Sequence, residues 1–173
     1  MIMVFFKLMC QHLQNTSRIN HPLAKTSGWF KIINMKKQIK RRSDCPISFA
    51  MDTLGDKWSL LIIRDLMFND KQYYGEFIKS AEKISTNILA ERLQRLESEG
   101  IITKAHDEIN FSKYKYSLTE KGLDLLPMLL DIATWSAKYD PNTGISKNFI
   151  QRIKLDKAGL QKEILEKLTS KQS

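Results

Sequence analysis

Thr86, Asn87, Glu91, Gln94 and Arg95 set a hydroxyl, two amides, a carboxylate and a guanidinium in one short stretch. At about 100° per residue most of these fall on one side of a helix. They are the kinds of group that hydrogen-bond base edges in a DNA major groove. Lys113 and Lys115, further along, are of the type that holds phosphates. A different chemistry belongs to Cys45. It precedes Pro46, a residue suited to a first helical position, so its thiol stands at a helix N-terminus, where the dipole and nearby Arg41 and Arg42 favour thiolate. Its other role is that of an unreactive cysteine packed between two copies of the chain. Cys10 is a resolving partner only if the N-terminal segment exists. His12, His21 and His106 share no metal-ligand spacing with either cysteine. There is no G-x-S-x-G, and Gly55-Asp56-Lys57-Trp58 lacks the upstream glycine and the Ser or Thr of a phosphate loop. The expectation is a protein without metal, cofactor or enzymatic activity.

The polar groups need a helix to carry them. Ser85 is placed as its N-cap, with a hydroxyl able to take an orphan N–H. Ile88, Leu89, Leu93 and Leu96 form the apolar arc opposite Asn87, Ala90, Glu91 and Gln94. Arg92 lies toward the apolar side and is expected to pair with an internal carboxylate. Gly100 suits the left-handed residue that closes a helix, and β-branched Ile101-Ile102-Thr103 begins a strand. After the polar segment from His106 to Lys113, Tyr114, Tyr116 and Leu118 alternate with Lys115 and Ser117, the period of a half-buried strand. An isolated helix of this kind is ordinarily a core helix with a solvated face. The helix, hairpin and following helix together spell a winged helix-turn-helix.

Upstream, a helix from Pro46 to Leu54 stops at Gly55. Asp56 caps the next, Lys57 to about Phe68, whose Trp58, Leu60, Leu61, Ile62, Ile63 and Leu66 mark it as the central core helix. A short helix from Tyr74 to about Ala81, with Phe77 and Ile78 inward, is the first of the helix-turn-helix pair. Downstream, Leu125, Leu126, Met128, Leu129, Ile132 and Trp135 form a helix too apolar to face water all round, with Pro127 bending it or marking its start. Phe149, Ile153, Leu160, Ile164 and Leu168 mark another helical stretch. Both sets serve either the internal core or dimerisation.

The chain has 173 residues, 42% of them hydrophobic, and a net charge of +9. That suits one domain with extensions. The charge is uneven: residues 1–42 hold nine Lys and Arg and no acid, and the remainder is balanced. Net charge therefore lends the folded part little support as a nucleic-acid binder. Expected boundaries are a basic, weakly ordered tail at 1–42, a winged helix at 43–140 and a helical extension at 141–173. Met35, heading M-K-K-Q-I-K-R-R, is a candidate true start; the alternative is that residues 1–34 form an arm that touches DNA or an anionic surface. The opening M-I-M-V-F-F-K-L-M-C is too short and too interrupted for a signal peptide or membrane anchor. A cytoplasmic protein without membrane attachment is expected.

Seven motifs in register, Cys45-Pro46, Gly55 to Trp58, Glu76-Phe77, Ile84-Ser85, Arg92 to Glu97, Gly100 to Ile102 and Tyr116 to Gly122, resemble the HxlR family of bacterial winged-helix transcription regulators. The similarity runs from about Cys45 to Trp135. Gln72-Tyr73-Tyr74 stand where members often carry Arg-Arg-Phe, and the segment from Asp107 to Lys113 is less proline-rich than usual. The resemblance implies a fold that is mainly α with a small β-hairpin, a winged helix-turn-helix with extra N- and C-terminal dimerisation helices. It also implies a homodimer on a pseudo-palindromic operator in double-stranded DNA, the helix from Ser85 in the major groove and the wing along the backbone or minor groove. Some relatives sense quinones, aldehydes or oxidants through the cysteine matching Cys45. The implied DNA contacts come from Ser85, Thr86, Asn87, Glu91, Gln94, Arg95, Lys113 and Lys115. The competing expectation is a winged-helix module that contacts proteins and binds DNA poorly.

Overall fold

A computed structural model describes residues 42–171; the basic tail up to Arg41, with Cys10 and Met35, lies outside the described residues. Helix α1, Pro46–Leu54, starts with Pro46 in its first turn and Cys45 as N-cap, and gives way at Gly55. Helix α2, Lys57–Phe68, follows at once. The Asp56 carboxylate accepts from the N–H groups of Trp58 and Ser59, both at 3.0 Å, and from Ser59 Oγ at 2.6 Å. Only Lys57 of α2 is exposed, which makes α2 the hub that other elements pack on.

Asp65 of α2 is a buried carboxylate, 2% exposed. Its two oxygens accept from Arg64, Asn69, Lys71 and Ser80, at 2.6 to 3.0 Å. Burial pushes its carboxyl up, but these bonds together hold it below the ordinary carboxylate range. The cluster ties α2 to the chain on both sides of helix α3, Tyr74–Ile78. That helix is shorter than its sequence predicts. Ser80 spends its hydroxyl on Asp65 while its N–H bonds Phe77 O, and Lys83 takes a φ of +54°, so the chain has left the helix before Ala81. Its start is fixed by the Glu76 carboxylate, which accepts from Gln72 and Tyr73 N–H at 2.7 and 2.9 Å.

Helix α4, Thr86–Ser98, begins at Ser85 as expected, but the Ser85 hydroxyl caps nothing. Tyr74 Oη instead holds this end by donating to Thr86 O at 2.8 Å. The other end closes in a Schellman arrangement: Gly100 N–H bonds Glu97 O at 3.0 Å and Ile101 N–H bonds Leu96 O at 2.9 Å, with Gly100 at φ +66°. Strands β1, Ile102–His106, and β2, Tyr114–Leu118, pair antiparallel, Ile102 opposite Leu118 and His106 opposite Tyr114. Tyr73 bridges to Lys115 on the far edge of β2, and Tyr116 N–H bonds Gln72 O at 2.8 Å, which pins the hairpin beside α3. Helix α5, Glu120–Leu123, is capped by Thr119. There Gly122 packs so closely on the residue that precedes β1 that an added Cβ would fall 2.3 Å from Ile101 O, whereas one at Gly100 would meet nothing within 4 Å. Gly122→Ala should therefore cost about 3 kcal/mol through backbone displacement, against about 1 kcal/mol of left-handed strain for Gly100→Ala. Urea unfolding of the two variants checks the order; a reversed order contradicts the packing.

Helix α6, Leu126–Tyr139, holds Pro127 in its first turn, so the proline marks the start of the helix. Its apolar residues divide: Leu126, Leu129 and Leu130 are buried, while Ile132, Trp135 and Tyr139 face out. Helices α7, Lys147–Leu155, and α8, Lys157–Ser170, share the core of the winged helix. Ile153, Leu160 and Leu168 are buried in the same cluster as Ile63, Leu89 and Leu96. For these three residues the internal role, one of the two open to them, is the observed one. Lys167 and Lys171 also reach Asp70, at 3.3 and 2.5 Å. No helix among the described residues is long and apolar enough to cross a membrane.

Candidate nucleic-acid interface

Leu89, Leu93 and Leu96 bury one side of α4 against the core, which turns Asn87, Ala90, Glu91 and Gln94 outward. Asn87, Glu91 and Gln94 follow one another at four and three residues, forming a polar stripe along the exposed side. Thr86 and Ser85 are exposed at its leading end. Both ends of the helix are tethered, by Tyr74 and by the Gly100 turn, so the stripe sits on a rigid support.

The two arginines of α4 do not join the stripe. Arg92 points inward, as its position predicts: Nε lies 2.9 Å from Asp56 Oδ1, in an orientation that gives an ion pair rather than a directed hydrogen bond, and Nη1 donates to Glu91 Oε1 at 2.6 Å. Arg95 is a correction to the sequence reading, which put it on the free face. Its Nη2 donates to the Asp52 carbonyl, and Nη1 stands 3.9 Å from Asp56 Oδ2. It lies on the flank of α4 that meets the junction of α1 and α2, where acceptors are clustered. Burial pushes the Asp56 carboxyl up, but the hydrogen bonds from Ser59 and the adjacent Arg92 guanidinium outweigh it and hold the group below its usual range.

The wing loop is closed by hydrogen bonds around Asp107. Asp107 Oδ1 accepts from Ile109 and Asn110 N–H at 3.1 and 2.7 Å, and Oδ2 from Tyr73 Oη at 2.5 Å. The Tyr73 hydroxyl and the backbone N–H groups of Asn110 and Ile109 hold the Asp107 carboxyl below its ordinary range; the same bond raises the Tyr73 phenol. Asp107 N–H bonds Lys113 O at 3.0 Å to close the loop. His106 has its ring 6.2 Å from that of Phe111 and 4.4 Å from that of Tyr114, and donates from Nδ1 to Phe111 O at 2.8 Å. Lys113 is exposed beside this loop; Lys115 is half-buried, on the hairpin side away from Tyr114 and Tyr116. Lys104, which the sequence reading passed over, lies with Nζ 4.0 Å above the Tyr114 ring. Its position two residues after Ile102 on the same strand face was the available signal.

Cys45 is exposed and free at the N-cap of α1. Arg42, one of the cations expected to favour its thiolate, is bound to Asp52 instead, with Nε at 2.7 Å from Oδ1. Among the described residues no three His, Cys, Asp or Glu side chains gather as a metal site.

Comparison with known proteins adds a second line. The profile of an HxlR-like helix-turn-helix matches residues 53–143. YdeP of Bacillus subtilis (strain 168), an uncharacterised HTH-type transcriptional regulator, is 34% identical over 110 residues, covering 61% of this chain and 85% of YdeP. YvaP of the same organism, of the same description, is 34% identical over 100 residues, 57% of this chain and 92% of YvaP. Among solved structures, the candidate transcription factor PA1607 superposes with a TM-score of 0.55 at 37% identity, over 61% of this chain and 72% of its own. The redox regulator HypR in its oxidised form gives 0.50 at 28% identity, over 56% of this chain and 98% of its own.

Proposed function

Because the chain belongs to the HxlR-like helix-turn-helix family of transcriptional regulators, we propose that it binds double-stranded DNA sequence-specifically as a homodimer. Helix α4 lies in the major groove and the wing on the adjoining backbone or minor groove. The observation that carries this reading is the exposed Asn87, Glu91 and Gln94 stripe on a helix held at both ends. Ser85 and Thr86 lie at its leading end, where helix N–H groups approach phosphates. Lys113 and Lys115 add cationic contacts from the wing. Arg95, committed to Asp52, drops out of the contact set.

Two-fold symmetry sets half-sites about one DNA turn apart, roughly 34–36 Å, and two linked contacts multiply a modest single-site affinity. The outward Ile132, Trp135 and Tyr139 of α6 are the apolar surface for self-association. A mobility-shift titration against the chain's own upstream region tests the proposal. A complex of two chains per duplex, weakened on inserting half a turn between the half-sites, is expected. Binding that ignores both sequence and spacing instead favours a protein-contact module.

Cys45 is the candidate for redox response, on its exposure at a helix N-cap and on the similarity to HypR. Peptide mapping after alkylation at neutral pH should show Cys45 labelling faster than a model thiol; equal or slower labelling ends that assignment.

A further inference from the structure

With Arg92 and Arg95 both turned to the α1–α2 junction, the exposed stripe of α4 contains no cation. Arginine is the side chain that reads guanine through O6 and N7, so the helix has given up the commonest specific contact in the major groove. What it presents is Asn87 and Gln94, whose amides match adenine N6 and N7, and between them Glu91, whose carboxylate accepts from the cytosine N4 amine.

A carboxylate aimed at a polyanion needs its charge offset and its direction fixed. The structure supplies both. Glu91 is 67% exposed, and its Oε1 accepts from Arg92 Nη1 at 2.6 Å. Arg92 is in turn held by Asp56, and Asp56 by Trp58 N–H, Ser59 N–H and Ser59 Oγ at the start of α2. This series of contacts anchors the exposed Glu91 carboxylate through Oε1, beside the Arg92 cation that offsets part of its charge.

Resting on the DNA-reading role above, we infer that Glu91, positioned by Arg92, specifies a cytosine flanked by adenines read by Asn87 and Gln94. Seven residues of helix rise about 10 Å, so the three contacts span at most about three base steps. Arg92 acts through Glu91 and touches no base.

Duplexes selected from a random pool by the full-length wild-type chain test this, followed by measurement on the selected site. The consensus half-site should hold adenine and cytosine within that span. Replacing its cytosine by pyrimidin-2-one, which lacks the N4 amine, should weaken wild-type binding about tenfold and leave Glu91→Ala indifferent. Glu91→Gln should move the preference at that one position from cytosine to adenine. Arg92→Lys should blunt the cytosine preference alone, with the adenine positions intact, which a purely structural loss would not do. A wild-type consensus whose every base preference survives Glu91→Gln and Glu91→Ala overturns the inference and leaves the DNA-reading role standing. The absence of any consensus overturns both.

Discussion

Replacing Asp65 by alanine should lower the unfolding free energy by about 3 kcal/mol, measured by urea denaturation. The carboxylate is buried, and the substitution removes the shared acceptor of Arg64, Asn69, Lys71 and Ser80, although Arg64 keeps Glu82 and Lys71 keeps Ser80 Oγ. Breaking a buried pair by removing one partner costs about 3–5 kcal/mol. The lower end applies here because the side chains of Arg64 and Lys71 keep 31% and 22% exposure, so water takes over part of their solvation. The cluster also fixes an acid limb. The native carboxyl titrates below its unfolded value of about 3.9. Its contribution is therefore complete above that pH and is lost as pH falls through the lower native value. Asp65→Asn should show a shallower loss of stability below about pH 4 than the wild type. Some slope remains from Asp56, Asp70, Glu82 and Asp107, whose carboxyls are also held low. An acid limb as steep as the parent's contradicts this role for Asp65.

Asn87→Ala and Lys113→Ala should separate specificity from affinity. Asn87 stands on the exposed stripe of α4, so its loss should cost about 1–3 kcal/mol on the preferred duplex and little on scrambled DNA. Lys113 stands exposed beside the clamped wing loop. Its loss should weaken all sequences alike and reduce the slope of log affinity against log salt by about 1. Both side chains are exposed, so neither change should move the unfolding midpoint by much. Equal effects on every sequence from both variants would undo the division of labour between helix and wing.

The elements legible in the sequence are those whose signals are local. Asp56 ahead of an apolar run, Gly100 after an amphipathic one and the alternation from Tyr114 to Leu118 each name a backbone geometry within a few residues, and each stands where expected. Arg92 was legible for the same reason, since its angle on α4 alone puts it toward the core. Long-range partners were not. Arg95 sits at the edge of the free face, and only the fold brings the Asp52 carbonyl, forty-three positions away, to its guanidinium. Ser80 reads as helix until Asp65, fifteen positions upstream, takes its hydroxyl. The loop clamp between Tyr73 and Asp107 spans thirty-four positions. Ile153, Leu160 and Leu168 carry a helical period that fits an internal core as well as a partner, and tertiary packing decides between them.

The central claim is that the polar stripe of α4 reads base sequence. Competition of the preferred duplex against a scrambled one of equal length, at a series of salt concentrations, tests it most directly. Binding to both should fall steeply with salt, with the preferred duplex held at least about 10³-fold more tightly at physiological ionic strength. Equal affinity for the two duplexes at every salt concentration would contradict it.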